Sequence, residues 1–385
     1  MAKNNNDPRF PIKDKILWWG SNLLGLVASV VLLLASIILL PFRRYESSIL
    51  RFFVRIAAIA LVIGLITGVY LYYFPHQSPE FGKAAKYIMV ERGETAYDIG
   101  FKLQKIGAIS SEFNFMLFSK ILGHSRHIKA GRYAIEPGMS FADIFKIMTS
   151  GAAVPFNITI PEGLTVKETA EILAHNLAFG KDEFIALCKS RQLLDSLSIP
   201  TDDIEGYLFP DTYNFFYDES ADQVIRKMVA RFHEALPDSF EIKAKLHGLD
   251  YYEAVTMASL IESEAMLDSE RALISAVYHS RLKKRMRLQC DPTVIYALGG
   301  LSRPLYYHDL EIDSPYNTYK YYGLPPGPIC SPGKASLEAA VNPAKVDYLY
   351  FVAVGDGSHI FSDTHREHIN AKNRIKRDRM LGRIG

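Results

Sequence analysis

The chain has 385 residues, of which 49% are hydrophobic and 22% are charged, and this length is sufficient for two or three domains with sizeable cores. Its net charge of +2 lacks the basic excess of nucleic-acid-binding proteins, so we expect no nucleic-acid partner. The three cysteines are too few and too scattered for a disulfide framework, and none has a metal-ligand spacing. We therefore predict no structural metal and no redox role.

Two uncharged apolar segments lie near the N-terminus, at residues 23–40 and 56–74, behind a tail at residues 1–22 that we expect to be cytoplasmic or mobile. Each segment approaches the roughly 20 residues that a transmembrane helix needs. We predict that residues 56–74 cross the membrane, and we leave open whether residues 23–40 form another span. Because the segments are long and no small-residue cleavage site stands out, we expect no removable signal peptide.

The connector between the two apolar segments predicts the orientation of the chain. It contains four arginines and one glutamate, namely Arg43, Arg44, Arg51, Arg55 and Glu46. By the positive-inside rule this connector is cytoplasmic, so the part after residue 74 is expected outside the cytoplasmic membrane. The basic residues ahead of residue 23 also favour the cytoplasm, so the side on which the N-terminus lies stays open.

A strand-turn-helix pattern occurs three times after the membrane segment. The three copies begin at Met89, Ala134 and Thr159, and each has a turn glycine two residues before a Thr or Ser that can cap the following helix. The first two copies bracket another helix and predict a small α+β domain at residues 85–153. This domain resembles LysM glycan-binding modules, and a spacer without glycan affinity is the alternative.

The third copy opens a larger α+β domain at residues 154–385. An aromatic-rich stretch follows at residues 205–213, where aromatic rings and carboxylates suit contacts with sugars. Loops dense in proline and glycine at residues 314–333 predict rigid walls of a cleft. The predicted fold is therefore α+β, with membrane segments first, then the small domain and then the larger one.

A helix at residues 251–266 carries the residue on which the functional prediction depends. Asp250 and Glu253 form a capping-box signature at its start. A helical wheel places Glu262 in the middle of a broad apolar face. The opposite side carries the other glutamates and two apolar residues, namely Glu253, Glu264, Met257 and Leu260.

The position of Glu262 on an apolar face needs a chemical explanation. An ionised carboxylate buried without a partner is costly, so Glu262 must be paired, exposed in a cleft, or kept partly protonated by a raised pKa. A glutamic acid that titrates near neutrality is what general acid catalysis requires. The alternative is a structural glutamate bonded to a backbone amide or to an arginine such as Arg271 or Arg287.

Two sequence motifs in this region resemble those of a known protein family. They are ASLIESEA at residues 258–265 and RLQCDPTVIY at residues 287–296, and EGYLFPDTY precedes them at residues 205–213. Between the two motifs, Asp268 is predicted to cap a second helix, and Asp291 is predicted to cap a third. The motifs, in this order, resemble the endolytic murein transglycosylases, the YceG-like family of bacterial cell-wall lyases.

The resemblance implies that Glu262 is the catalytic acid of a lyase that cleaves the bond between N-acetylmuramic acid and N-acetylglucosamine and leaves a 1,6-anhydro end. It implies peptidoglycan strands and the membrane as partners, with peptidoglycan synthases as further partners, and it needs no cofactor. Polar residues in the family motifs are candidates for holding the glycan: Gln289, Asp291, Tyr316, Asn317, Thr318 and Glu264.

Two alternatives stay open beside the lyase. A muramidase, which hydrolyses the same bond, would need a second carboxylate near Glu262, and helix geometry offers none, although Asp211, Asp291 or Asp313 could arrive from loops. A membrane-tethered protein that binds peptidoglycan without cleaving it would tolerate Gln at position 262.

Overall fold

The computed structural model describes residue 29 and residues 48–76, 82–121 and 127–383. Helices and short strands alternate along this part of the chain, which confirms a mixed fold of helices and strands. Among the described residues, one helix is long and apolar enough to cross a membrane. The predicted segment 23–40 and the tail 1–22 lie outside the described residues, apart from residue 29.

The helices and strands are numbered in chain order. The helices are α1 Ser48–Tyr73, α2 Ala96–Lys105, α3 Glu112–Ile121, α4 Phe141–Ser150, α5 Val166–Asn176, α6 Lys181–Cys188, α7 Arg191–Ser196, α8 Ala221–Ala235, α9 Phe240–Leu246, α10 Tyr251–Glu264, α11 Asp268–Lys283, α12 Asp291–Ala297, α13 Lys334–Val341 and α14 His365–Met380. The strands are β1 Lys86–Val90, β2 Gly131–Ile135, β3 Phe156–Thr159, β4 Thr212–Phe215, β5 Tyr350–Ala353 and β6 His359–Ser362. They form three antiparallel pairs, β1 with β2, β3 with β4 and β5 with β6.

The chain divides into two compact units, Met1–Val154 and Pro155–Gly385. In the first unit, β1 and β2 pair around a core that includes Phe115, Tyr133 and Met148. Phe74, directly after the apolar helix α1, is buried in the same core and stacks on Phe118 with 4.8 Å between the ring centroids. The apolar helix therefore continues into the packed core of the small unit.

The three predicted strand-turn-helix patterns are confirmed. Each helix begins with a complete capping box, in which the Thr or Ser side chain accepts from the backbone of the third helical residue and that residue's side chain accepts in return. The pairs are Thr95 with Asp98, Ser140 with Asp143, and Thr165 with Glu168. The turn glycine has a positive φ in all three, a conformation that favours glycine.

The second unit is built around α10. This helix packs against α9, α11 and α13, and all its residues from Ala254 to Ile261 are buried. Met257 and Leu260, which lie opposite the predicted apolar face, are as fully buried as that face. The helix also ends at Glu264 and not at residue 266, since Ala265 has an extended backbone and Met266 is exposed.

Candidate active site

Glu262 lies in the last turn of α10, with only 6% of its side chain exposed. Its Oε1 atom lies 3.0 Å from an NH group of Arg271, and the backbone N–H of Gly333 donates to its Oε2 at 2.9 Å. Of the three predicted arrangements for this carboxylate, the structure therefore has the paired one. The cation and the amide together compensate a buried charge that would otherwise be strongly destabilising.

Arg271, on α11, is the cation at the centre of the site, and its side chain is 8% exposed. Besides Glu262, its guanidinium contacts the Asp268 carboxylate at 2.9 Å and donates to the Ser336 hydroxyl at 2.5 Å. The predicted capping role of Asp268 is wrong. Leu267 has the N-cap position, and Asp268 is the first helical residue, whose carboxylate pairs with Arg271 one turn later.

Glu162 brings another carboxylate to the same arginine, and sequence reasoning missed it. Its Oε2 atom lies 3.8 Å from an NH group of Arg271, and 48% of its side chain is exposed. Because Glu162 and Glu262 contact one guanidinium, they lie no further apart than the roughly 9 Å that separates paired carboxyls in glycoside hydrolases. The site is thus a carboxylate pair on a shared cation, with Asp268 at its edge.

Backbone pairing between two distant loops brings Glu162 to this place. The N–H of Gly163 donates to the carbonyl of Ser331 at 2.9 Å, and the N–H of Ser331 donates to the carbonyl of Leu164 at 2.8 Å. This pairing fixes the turn at Glu162 beside the loop that ends at Gly333. The proline- and glycine-rich loop, predicted as a cleft wall, therefore contributes a hydrogen-bond donor to the site as well.

Two glycines lie against the two carboxylates, and only Gly333 is needed for space. A Cβ atom at Gly333 would clash with the Glu162 carboxylate, although the backbone at Gly333 has an ordinary extended conformation. A Cβ atom at Gly163 would lie 3.8 Å from the Cγ atom of Glu262. The glycine at position 333 is thus required for the close approach of Glu162 and not for its backbone conformation.

The electrostatics of the site set Glu162 apart from ordinary surface glutamates. Burial and then repulsion from Glu262 raise the pKa of Glu162, and the positive charge of Arg271 opposes both effects. A carboxyl whose pKa is raised beside another carboxyl holds its proton to a higher pH than an ordinary surface glutamate does. Sequence signals for Glu162 were its place in a turn and its nearness to the capping box of α5, and neither indicates contact with Arg271.

The three aspartates that were considered as loop-borne carboxylates have other partners. Asp211 pairs with Arg231 at 2.7 Å, Asp291 accepts from the Tyr319 hydroxyl at 2.5 Å, and Asp313 accepts from the Tyr321 hydroxyl at 2.8 Å. Arg287, the other arginine proposed for Glu262, lies over the ring of Tyr322 at 4.9 Å. The second carboxylate is therefore Glu162, which was not among the predicted candidates.

The predicted glycan-binding residues divide by exposure. Gln289 and Asp291 are exposed, and Tyr316 is half-buried against Tyr296 with 4.9 Å between the rings. Asp291 does not cap α12 as predicted, because Cys290 has the N-cap position and Asp291 is the first helical residue. These three side chains remain candidates for contact with a glycan.

The other three predicted residues bond within the protein. The Asn317 amide donates to the carbonyls of Leu310 and Ile312, and the Thr318 hydroxyl bonds to Cys290 and Thr293. The Glu264 carboxylate accepts from Tyr278 at 3.2 Å, and burial raises its pKa. These contacts favour a role in holding the loops and helix ends that surround the site, and glycan binding by these residues stays a prediction.

Comparisons with known proteins agree with the family resemblance that the sequence motifs indicate. The model of the YceG-like family matches residues 88–374. An endolytic murein transglycosylase of Bacillus subtilis (strain 168) is 38% identical over 301 residues, 74% of this chain and 83% of the relative. One of Streptococcus pneumoniae serotype 2 is 32% identical over 334 residues, 78% of this chain, which spans 60% of that relative's length.

A solved structure supports the same assignment. A yceG-like protein of Listeria monocytogenes superimposes with a TM-score of 0.57 at 35% sequence identity, and the match covers 75% of this chain and 99% of the Listeria chain. The sequence and structure matches thus cover most of this chain, and the family model includes the residues around Glu262 and Arg271. The chain belongs to the YceG-like family.

Proposed function

We propose that this chain is a membrane-anchored endolytic murein transglycosylase, a lyase that cleaves the β-1,4 bond between N-acetylmuramic acid and N-acetylglucosamine within peptidoglycan strands. The observation that carries the proposal is the Bacillus subtilis relative of that name, 38% identical over 74% of this chain. The buried and paired carboxylate of Glu262 supports it with a group suited to proton transfer.

Glu262 acts as the general acid and then as the base. In its protonated form it gives its proton to the glycosidic oxygen, and the bond between that oxygen and C1 of the muramic acid breaks. The 6-hydroxyl oxygen of the same sugar bonds to C1, and its proton passes to the Glu262 carboxylate. The proton is thereby restored, no water is consumed, and a 1,6-anhydro end forms.

Residues around Glu262 position the acid and the substrate. Arg271 and the Gly333 amide hold the Glu262 carboxylate in one orientation, as a proton donor that acts at a fixed oxygen requires. Gln289, Asp291 and Tyr316 contact the sugars. Asn317, Thr318 and Glu264, predicted in the same role, contribute by fixing the loops and helix ends.

The first unit anchors the enzyme and guides the substrate to it. Helix α1 crosses the cytoplasmic membrane, and the catalytic unit lies on the outer side, where glycan strands emerge. The small domain binds glycan in the manner of a LysM module. Peptidoglycan synthases of the elongation or division machinery are the protein partners, since their product is the substrate.

A muramidase is the second candidate, and one observation favours it. Glu162 lies on the same guanidinium as Glu262, which is the carboxyl pairing that a hydrolase uses to activate water or to form a covalent intermediate. A hydrolase would leave reducing ends, whereas the lyase leaves 1,6-anhydro ends. The products therefore decide between the two candidates.

The test uses the full-length chain in detergent micelles, incubated with uncrosslinked glycan strands, and mass spectrometry of the products. We expect internal cleavage to fragments with 1,6-anhydro ends, and no cleavage by E262Q, which keeps the size and hydrogen-bonding shape of the side chain. Reducing ends would replace the lyase with the muramidase. Intact strands with both proteins would support a tethered peptidoglycan-binding protein.

A further inference from the structure

Glu262 forms an ion pair with Arg271, which favours its carboxylate form, whereas general acid catalysis needs its protonated form. A carboxylate in an ion pair is suited to accept the proton of the 6-hydroxyl. Cleavage of the glycosidic bond, however, requires a proton on the acid before the bond breaks. A group near Glu262 must therefore favour a proton at this site at the working pH.

We propose that Glu162 is a positioning residue of the active site, which shares the Arg271 cation with Glu262 and keeps one proton between the two carboxyl groups. The inference rests on the proposed function of Glu262. Three carboxylates, those of Glu162, Glu262 and Asp268, contact a single guanidinium. Asp268 is largely in solvent, and one positive charge cannot balance the two remaining carboxylates, so the cluster gains stability when one of them is protonated.

Exposure and location single out Glu162 among the carboxylates that share Arg271 with Glu262. Asp268 has 84% of its side chain in solvent, where water screens its charge. Glu162 is half-buried and lies against Gly333, the residue whose amide donates to Glu262. Burial and repulsion from Glu262 both raise the pKa of Glu162, in agreement with a shared proton.

The proton balance of the reaction is unchanged by this arrangement. The proton on the pair moves to Glu262 and from there to the leaving oxygen, and the 6-hydroxyl proton returns to the pair when the anhydro ring closes. Glu162 neither bonds to the sugar nor consumes a proton. Its effect is to keep a proton on the carboxyl pair at a pH where a single carboxyl beside Arg271 would have lost it.

The test is the pH dependence of anhydro-product formation by the full-length chain in micelles, with uncrosslinked glycan strands as substrate. In E162Q the repulsion that retains the proton is absent, so we expect the limb where activity falls with rising pH to move by about one unit to lower pH. At pH 7.5 we expect kcat to fall about tenfold and KM to change less than threefold. E162D, which keeps a titratable carboxyl, should restore the wild-type limb.

A matched control is E241Q, which removes an exposed glutamate paired with Lys245 on α9 and should leave both rate and pH profile unchanged. A rate of E162Q that is lower at every pH with an unmoved limb would mean a structural role and would overturn the proposal, as would wild-type behaviour. If E162Q does not fold, E162D decides: a wild-type limb would support the proposal, and a limb that moves in spite of the retained carboxyl would overturn it.

The test also separates this inference from the proposed function. Anhydro products from the wild-type chain that are lost in E262Q support the lyase, whatever E162Q does. A wild-type chain that yields no anhydro product would remove both proposals.

Discussion

Two Glu-Gly turns lie at the N-terminal end of α5, and they use their carboxyl groups differently. Glu162, followed by Gly163, has 48% of its side chain exposed and faces Arg271. Glu205, followed by Gly206, is only 5% exposed. Its carboxyl accepts from the backbone N–H of Val166, the first residue of α5, at 3.0 Å. In the described part of the chain no arginine or lysine pairs with Glu205.

The difference teaches what a cation does to a buried carboxyl. Burial without a cation raises the pKa of Glu205 to about 8, so this residue is a neutral acid at pH 7 that holds the start of α5. Glu162 has a cation and a second carboxylate beside it, which makes it responsive to the charge of its neighbour. The same type of turn thus serves structure in one place, and in the other we propose that it shares a proton with Glu262.

Removal of the cation should have the largest effect. In R271M the buried Glu262 carboxylate loses its charged partner, and breaking a buried ion pair in this way costs about 3–5 kcal/mol of the free energy of unfolding. We expect a lower midpoint in urea unfolding followed by circular dichroism, together with loss of the anhydro product.

The matched control for R271M is R231M, which removes an arginine from a pair with Asp211 whose side chains are 42% and 36% exposed. Exposed pairs contribute less than about 1 kcal/mol, so R231M should unfold close to wild type and keep its activity. Equal destabilisation by the two variants would contradict the account of Arg271 as the counter-charge of Glu262.

Displacement of Glu162 should have an intermediate effect. In G333A the new Cβ atom occupies the place of the Glu162 carboxylate, whose half-exposed side chain must swing away from Arg271. We expect kcat to fall about 10- to 100-fold, because misplacement near the reacting atoms is costly. The change from Gly to Ala at the N-cap should cost only about 1 kcal/mol of the free energy of unfolding.

The control for G333A is G180A, since Gly180 is also the N-cap of an eight-residue helix, has a similar backbone conformation and has no atoms within 4 Å of an added Cβ. Its kinetics should match wild type. Unchanged kinetics of G333A would show that the position of Glu162 beside Gly333 is not needed.

Replacement of Glu205 by glutamine should change the pH dependence of stability and leave catalysis unchanged. Glu205 keeps its proton in the folded state up to a pKa of about 8, whereas the unfolded chain loses it near the ordinary glutamate value. Its stabilising effect is therefore complete at low pH and is lost as pH rises to about 8, by about 1.4 kcal/mol per pH unit at most.

The measurement for Glu205 is urea unfolding of wild type, E205Q and the exposed control E171Q between pH 5 and 9. We expect E205Q to lose less stability than the other two as pH rises, with wild-type activity throughout. A slope for E205Q equal to that of wild type would assign the pH dependence to other groups.

Local chemistry made much of the fold predictable. The Asp250–Glu253 capping box begins α10 as predicted, and the caps at Thr95, Ser140 and Thr165 are also present. These signals lie within four residues of one another, so tertiary packing does not alter them. The separation of Glu262 from the other glutamates of α10 could be predicted for the same reason, because it depends only on helical spacing.

Contacts between distant segments could not be predicted in this way. Met257 and Leu260 are buried because helices cover α10 on more than one side. A helical wheel shows which residues share a face, but it does not show how many faces are covered. Glu162 reaches Arg271 because Gly163 and Ser331 pair through their backbones, and backbone hydrogen bonds leave no mark on side-chain sequence. The sequence predicts a cap at Asp268 because aspartate generally favours that position, whereas its pairing with Arg271 is specific to this site.

The most direct test of the central claim, cleavage without water through Glu262, is to run the wild-type reaction in water enriched in oxygen-18. The account predicts internal fragments with 1,6-anhydro ends that contain no oxygen-18, because the 6-hydroxyl of the muramic acid takes the place of water. Reducing ends labelled with oxygen-18 would contradict it, and would mean that the Glu162–Glu262 pair directs a water molecule at the same bond.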